Sequence, residues 1–146
     1  MQGCEMEFFD NKKVTLFNRL YNADTEEETY YSTLLDCVDL TETSGRNASK
    51  NGIESANTVK LYIDFDNINK PYVTPKEWEA LPEKCKENYL TFNADEDFFV
   101  RGDCTNINLP NENVYEWMRD NFDSVYKIKT VDKYEDILPH FEVGGV

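Results

Sequence analysis

The chain has little of what a metal centre or a catalytic site usually needs. It contains one histidine, His140, and four cysteines that lie far apart without any CxxC pair. Structural metal sites draw on closely spaced Cys and His ligands. The sequence also lacks a GxSxG motif, a P-loop, an HExxH motif and a GxGxxG motif, which mark common catalytic and cofactor sites. We therefore predict no catalytic residue, no metal and no cofactor, and we expect that the protein is not an enzyme.

Basic residues are scarce as well. Fifteen Lys and Arg residues stand against 29 Asp and Glu residues, which gives a formal net charge of −14. Contacts to phosphate groups need clustered Lys and Arg, so this composition argues against sequence-specific nucleic-acid binding and against an anionic membrane surface. Strong acidity instead favours solubility, basic protein partners, or a surface past which DNA slides without sticking.

Long apolar runs are missing too. No stretch approaches the roughly 20 apolar residues of a membrane span, and the first residues lack the basic and apolar regions of a signal peptide. We therefore expect a soluble protein that is intracellular when made. The chain does contain nine Tyr, nine Phe and two Trp among its 146 residues, enough for the core of a single domain.

Alternation of apolar and polar residues, the period-two pattern of strands, recurs along the chain. It predicts strands at residues 14–18, 29–40, 59–65, 90–93, 97–102, 126–130 and 140–143, the last two forming a hairpin. Residues 29–40 are partly apolar on both faces, as in a strand that bends around a barrel. Thr74, Pro75 and Glu77 form a capping box for a short helix before Pro82. A second helix is predicted at residues 113–122, capped by Asn113 and Glu116. The fold class predicted is mainly β, a small antiparallel barrel or sandwich with two short helices.

The predicted domain organisation is a flexible N-terminal arm at residues 1–12 and one β-rich domain at residues 13–146. Within the domain, residues 41–57 are polar and too many for an ordinary turn, and we predict a long loop there, a length that is usually functional or disordered. We expect the arm and this loop to contact partners. The candidate contact residues are Phe8, Phe9, Arg46, Lys50 and Asn51, and the predicted core residues are Leu61, Ile63, Phe65, Trp117, Met118, Ile128 and Phe141.

Several segments, in order along most of the chain, carry a family resemblance. They are residues 14–21 (VTLFNRLY), 52–59 (GIESANTV), 72–78 (YVTPKEW), 99–102 (FVRG), 125–128 (VYKI) and 140–145 (HFEVGG). In these segments the chain resembles a family of small proteins that tailed phages and prophages of Gram-positive bacteria encode among their head and tail structural genes. The matching motifs are structural and not catalytic.

The resemblance implies a virion or assembly protein at the head-tail junction, a neck component of the head-closure or connector type that forms a homo-oligomeric ring. Its partners would be other phage structural proteins, such as the portal or connector, the tail terminator or the tail tube. It would reside in the host cytoplasm during assembly and then in the virion. In a ring, acidic side chains that face the channel would repel DNA and let it pass.

Three alternatives stay open at this stage. One is a minor tail protein of the same kind of particle. Another is a cellular binding domain unrelated to phage, which requires the segment matches to be accidental. The third is a free acidic inhibitor that mimics DNA and occupies the basic nucleic-acid site of a host enzyme. A mimic should carry rows of carboxylates at phosphate-like spacing, whereas Lys12, Lys13, Lys60, Lys127 and Lys129 interrupt the acidity along the predicted strands.

Overall fold

A computed structural model describes the backbone of residues 12–49 and 52–146, and the side chains of residues 13–42 and 58–146. Within these ranges the strands are β1 (Lys12–Asn22), β2 (Glu27–Ser49), β3 (Gly52–Asp64), β4 (Phe98–Arg101), β5 (Val125–Tyr134) and β6 (His140–Gly145). They form a closed barrel in the order β1-β2-β3-β6-β5-β4, with every neighbouring pair antiparallel and β4 paired with β1. The predicted fold class is confirmed, and the barrel is the form that the chain adopts.

Strand β2 is long because it serves two neighbours. It pairs with β1 as far as Val38 and with β3 from Asp39 onward. Cys37, just before this change of partner, has a φ of 61°, a conformation that is uncommon outside glycine and that turns the strand locally. The expectation that this strand bends around a barrel is therefore confirmed.

The apolar side chains form two clusters. The larger one fills the barrel and takes residues from all six strands, together with Leu90 and Phe92. The smaller one lies between strands β1, β4 and β5 and the second helix, and it includes Phe17 and Phe98, whose rings stack at 4.8 Å.

The predicted core residues divide between full and partial burial. Phe65 is half-buried because β3 ends at Asp64 and Phe65 begins a short 3-10 helix (Phe65–Asn67). Trp117 is half-buried at the edge of the second helix, against Phe122. The fully buried members are Leu61, Ile63, Met118, Ile128 and Phe141.

The two α-helices lie where the sequence places them, although one cap differs. Helix α1 (Pro75–Ala80) begins with the capping box that Thr74 and Glu77 form. Helix α2 is Val114–Asn121. The Asn113 cap was wrong, since Asn113 has a φ of 55° and its side chain makes no capping hydrogen bond. Glu28 of β2 accepts a hydrogen bond from the Val114 N–H instead, at 3.4 Å. The first turn of α2 is therefore capped by a residue distant in sequence.

Three further expectations need correction. The predicted loop at residues 41–57 is wrong for its described part, because residues 41–49 and 52–57 continue β2 and β3 as a paired hairpin. The predicted strand at residues 90–93 is reduced to one isolated bridge, Leu90 with Tyr72. The arm was set one residue too long, since Lys12 already belongs to β1; residues 1–11 lie outside the described part of the chain.

Candidate partner-binding surfaces

The residues predicted to contact partners fall mostly outside what the structure describes. Phe8, Phe9, Lys50 and Asn51 lie outside the described residues, and Arg46 lies in β2 with its side chain outside them. The structure therefore neither brings these five together nor separates them. It does describe the backbone that carries Arg46, which belongs to the first surface below, and two further surfaces that sequence analysis did not identify.

The first surface is the outer part of the β2–β3 hairpin, here called the distal hairpin, residues 43–49 and 52–58. Of the β3 residues that pair with β6, Val59 lies nearest to the distal hairpin, and its partner is Gly145. Beyond it, β2 and β3 pair with each other from Thr43 and Thr58 to Ser49 and Gly52. At about 3.3 Å per residue, seven residues extend roughly 20 Å past the barrel. The distal hairpin thus projects as a two-stranded ribbon.

The base of this ribbon is tied to the barrel through Glu42. Its carboxylate accepts hydrogen bonds from the Arg101 guanidinium at 2.7 Å, from Ser124 Oγ at 3.0 Å, and from the Tyr126 hydroxyl. Burial, and then the hydrogen bond to Glu42, raises the pKa of Tyr126, so the phenol remains a donor at neutral pH. Three donors from β4, β5 and the segment before β5 therefore set the direction in which the hairpin leaves the barrel.

The second surface is the turn between β5 and β6, here called the apolar tip, residues 135–139. Ile137 is 89% exposed and Leu138 is 72% exposed. Leu138 also has a φ of 54°, a left-handed conformation that is strained for a residue with a Cβ. The Phe65 N–H donates to the Pro139 carbonyl at 3.2 Å, which ties the turn to the body of the protein. An ordered turn thus keeps two large aliphatic side chains exposed to solvent.

His140, the first residue of β6, contacts the same turn. Its Nδ1 lies 2.6 Å from the Leu138 carbonyl oxygen and its Nε2 lies 3.0 Å from Glu142 Oε2. The hydrogen bond to the Leu138 carbonyl, followed by that to Glu142, raises the pKa of His140. The imidazole ring stacks between Tyr62 at 4.1 Å and Tyr134 at 4.8 Å. The histidine therefore acts as a structural support of the tip.

The third surface is a groove of about 460 Å³ beside the tip, here called the lysine-rimmed groove. Lys133 pairs with Glu135 at 2.9 Å, and its Nζ lies 5.5 Å from the centre of the Tyr72 ring. Lys70 donates to the Ser32 carbonyl at 3.2 Å, and burial lowers its pKa. The groove is lined chiefly by Phe65, Ile68, Tyr72, Phe141, Lys70 and Lys133. It is an apolar, aromatic surface with two cationic groups at its edge.

A wider groove of about 610 Å³ has the opposite character. Its lining includes four glutamates, Glu26, Glu27, Glu28 and Glu112. Glu28 is already engaged, since it pairs with Arg19 at 2.7 Å. This groove is the acidic counterpart of the lysine-rimmed groove.

Asp97 is a carboxylate with a raised pKa and a structural role. Asp97 is buried, and burial raises its pKa to about 7. Its oxygens accept hydrogen bonds from Asn18 Nδ2 at 2.8 Å, from the Arg19 N–H at 2.8 Å and from the Asn93 N–H at 2.9 Å. A buried carboxylate with a shifted pKa can mark a catalytic site. Here two of the contacts join β1 to the segment before β4, and the contact from Asn93 closes a turn within that segment, so the carboxylate has a structural role.

The part of the chain that the structure describes shows neither a metal-binding cluster nor a membrane-spanning helix. No three His, Cys, Asp or Glu side chains in that part of the chain are grouped to hold a metal ion. None of the described helices is long and apolar enough to cross a membrane.

Comparison with known proteins identifies the family. Neither the curated proteins nor the solved structures contain a significant match to this chain. A family model, described as a family of unknown function (DUF6751), matches residues 9–146. The match covers nearly the whole sequence, and the chain belongs to the DUF6751 family.

Proposed function

We propose that the protein is a non-enzymatic structural or assembly component of a tailed-phage particle. In this proposal it is a neck protein of the head-closure or connector type at the head-tail junction, where copies form a ring. The observation that carries the proposal is the distal hairpin, a backbone ribbon that leaves the barrel and is available to neighbouring subunits. The sequence resemblance described above supplies the setting.

The hairpin needs a partner for energetic reasons. A two-stranded ribbon alone is marginally stable in water. Among the residues whose backbone the structure describes, the outer edges of residues 43–49 in β2 and 52–58 in β3 pair with no further strand. Unpaired edges are templates for strand addition from another chain. In an assembled ring, a neighbouring subunit would cover these edges and stabilise the ribbon.

The anchor at Glu42 supports the same proposal. A ring requires every copy to present its contact surface in the same direction. The hydrogen bonds from Arg101, Ser124 and Tyr126 hold the hairpin base against two other strands. The projection is therefore oriented by the barrel, as a repeated contact would require.

The surface charge is more mixed than a DNA mimic would need. Lys60 pairs with Glu142 at 3.6 Å, Lys129 with Asp95 at 2.6 Å, and Lys133 with Glu135 at 2.9 Å. These pairs interrupt the carboxylates on β3, β5 and β6. They favour an assembly protein over an inhibitor that imitates a row of phosphates.

The test is made in cells that produce the phage. Intact particles are analysed by mass spectrometry, and a strain without the gene is imaged by negative-stain microscopy. We expect the protein in the particles, and filled heads or free tails that fail to join when it is lost. A variant in which Asn-Gly replaces residues 45–56 keeps the pair Ser44 and Asn57 around a two-residue turn. It should not restore joined particles.

The control is Lys129→Ala, a surface change on the barrel that leaves the hairpin intact and should restore joined particles. If the protein is absent from particles and instead purifies with a host nucleic-acid enzyme in competition with DNA, the inhibitor replaces this proposal. If the shortened hairpin supports assembly as well as the wild-type protein does, the hairpin is not the contact between copies.

A further inference from the structure

The apolar tip has the features of a contact that is completed by another molecule. Ile137 and Leu138 are both largely exposed, and Leu138 keeps a φ of 54° that glycine or asparagine would adopt more easily. Contacts to His140 and Phe65 hold the turn in this shape. An ordered, strained turn that displays two aliphatic side chains is preorganised for insertion into an apolar site.

The lysine-rimmed groove is complementary to this tip. The tip carries Glu135 and Asp136 directly before its two aliphatic residues. Glu135 pairs with Lys133 of the same copy at 2.9 Å, and Asp136 is exposed. The groove offers an aromatic floor with Lys70 and Lys133 at its edge. Its volume of about 460 Å³ lies within the range of sites that enclose side-chain-sized ligands. In a chain of net charge −14, an apolar surface bordered by lysines matches an acidic and apolar segment.

The two surfaces lie next to each other in the fold. Lys133 of the groove pairs with Phe141 one step before the turn, and Phe65 of the groove bonds to Pro139 of the tip. Because the two surfaces are adjacent, one arrangement of two copies can place the tip of each in the groove of the other. Such a reciprocal contact has two-fold symmetry.

We propose that two copies of this chain dock reciprocally, each inserting Ile137 and Leu138 into the lysine-rimmed groove of the other. Asp136 of each copy lies against Lys70 of its partner. The contact area is small, so the dimer is weak and concentration-dependent. This inference is independent of the proposed role in a virion, because it concerns the free protein.

The first test is sedimentation equilibrium of the full chain at concentrations from about 1 µM to about 1 mM, the range of weak association. We expect a reversible monomer-dimer equilibrium. Leu138→Gly should weaken the dimer by about tenfold or more, since it removes one apolar anchor from each half of the contact. The same change should raise the thermal unfolding midpoint of the monomer, because glycine relieves the strained φ. A wild-type chain that is monomeric throughout, or a Leu138→Gly dimer of unchanged strength, would overturn the proposal.

The second test uses charge exchange to identify the partner surface. Asp136→Lys and Lys70→Glu should each abolish the homodimer, because each places like charges against each other. An equimolar mixture of the two variants should recover association, because both halves of the contact are then oppositely charged. Asp24→Lys, an exposed change of equal charge in the β1–β2 turn, should leave the wild-type equilibrium unchanged. Circular dichroism first verifies that each variant is folded, and a mixture of folded variants that stays monomeric would reject the Asp136 to Lys70 contact.

Discussion

The carboxylate of Asp97 lies in the interior, where its ionised form loses most of its hydration. Burial outweighs the hydrogen bonds from Arg19, Asn18 and Asn93, and the pKa rises from 3.8 to about 7. The folded protein therefore binds this proton more tightly than the unfolded chain does. The resulting stabilisation is complete below the ordinary pKa and is lost as the pH rises toward 7. Asp97 should thus make the free energy of unfolding fall across this interval.

Asp97→Asn tests this linkage. An amide nitrogen must face one of the three N–H donors, so the variant should be less stable than the wild type by about 1–3 kcal/mol at acidic pH. The difference should shrink as the pH approaches 7, because only the wild type loses stability from this group. Urea denaturation between about pH 4 and about pH 8 measures both effects. Asp95→Asn, at an exposed carboxylate paired with Lys129, is the control, and a difference independent of pH would contradict the assignment to Asp97.

Lys86 is a second buried charge with a structural role. Its ammonium donates to the carbonyl oxygens of Trp78, of Leu81 at 3.0 Å and of Glu79 at 3.4 Å, at the end of α1. Burial lowers its pKa. The last carbonyls of a helix lack internal partners, and a cation there also interacts favourably with the helix dipole. Lys86 therefore caps α1 from the following 3-10 helix (Glu83–Asn88).

Lys86→Met keeps much of the side-chain volume but removes the donors. We expect a loss of about 1–3 kcal/mol in the free energy of unfolding, because buried carbonyls then lack a charged partner. Lys84→Met, on the same 3-10 helix but exposed, should change stability by less than about 0.5 kcal/mol. Equal effects of the two substitutions in thermal or urea denaturation would show that Lys86 is not a cap.

At the scale of secondary structure, local patterns predicted what local forces determine. The capping box of Thr74 and Glu77 was found correctly because its two hydrogen bonds lie within four residues. The cap of α2 was missed because its acceptor, Glu28, is 86 residues away. The strand extensions at residues 41–49 and 52–57 were missed because their sequence is polar and shows no apolar alternation. The lysine-rimmed groove has no local signal in the sequence, since only tertiary folding places Lys70 and Lys133 in one groove. The apolar tip does have one, because Ile137 and Leu138 follow two acidic residues, but sequence analysis did not use it.

The pairing of β5 with β6 depends on two glycines. The strands shift register between Ile128 and Thr130, and a Cβ on Gly144 would lie 2.4 Å from Thr130 Oγ1. The register shift also explains why Thr130 is exposed although it lies two residues after buried Ile128. At Gly145 a Cβ would lie 3.0 Å from the Lys127 carbonyl oxygen. One glycine is thus limited by a side chain and the other by the backbone.

A double-mutant cycle separates these cases. Gly144→Ala should cost about 1–2 kcal/mol, because overpacking displaces Thr130. In a Thr130→Ala background, Gly144→Ala should cost much less, and Thr130→Ala alone should be nearly neutral because the residue is exposed. Gly145→Ala should stay destabilising in both backgrounds. Urea denaturation gives all the values, and a cost of Gly144→Ala that persists without the Thr130 hydroxyl would contradict the steric explanation.

At the scale of the whole molecule, we expect the barrel to determine folding and the distal hairpin to determine assembly. The barrel is closed by strand pairings within residues 12–44 and 57–146. The hairpin base, in contrast, is bonded to the barrel through Glu42. Removing the distal hairpin should therefore leave the barrel folded, whereas a substitution of Glu42 at the hairpin base should lower the free energy of unfolding.

The variant with Asn-Gly in place of residues 45–56 should accordingly keep its free energy of unfolding within about 1 kcal/mol of the wild type, because it retains the strand pairings that close the barrel. Glu42→Ala should cost about 1–3 kcal/mol, because three donors lose their acceptor. Urea denaturation followed by circular dichroism compares both with the wild type. If the shortened variant unfolds at much lower urea, the hairpin is part of the folding unit. If it matches the wild type, any defect of this variant in particle assembly arises from a lost contact between subunits.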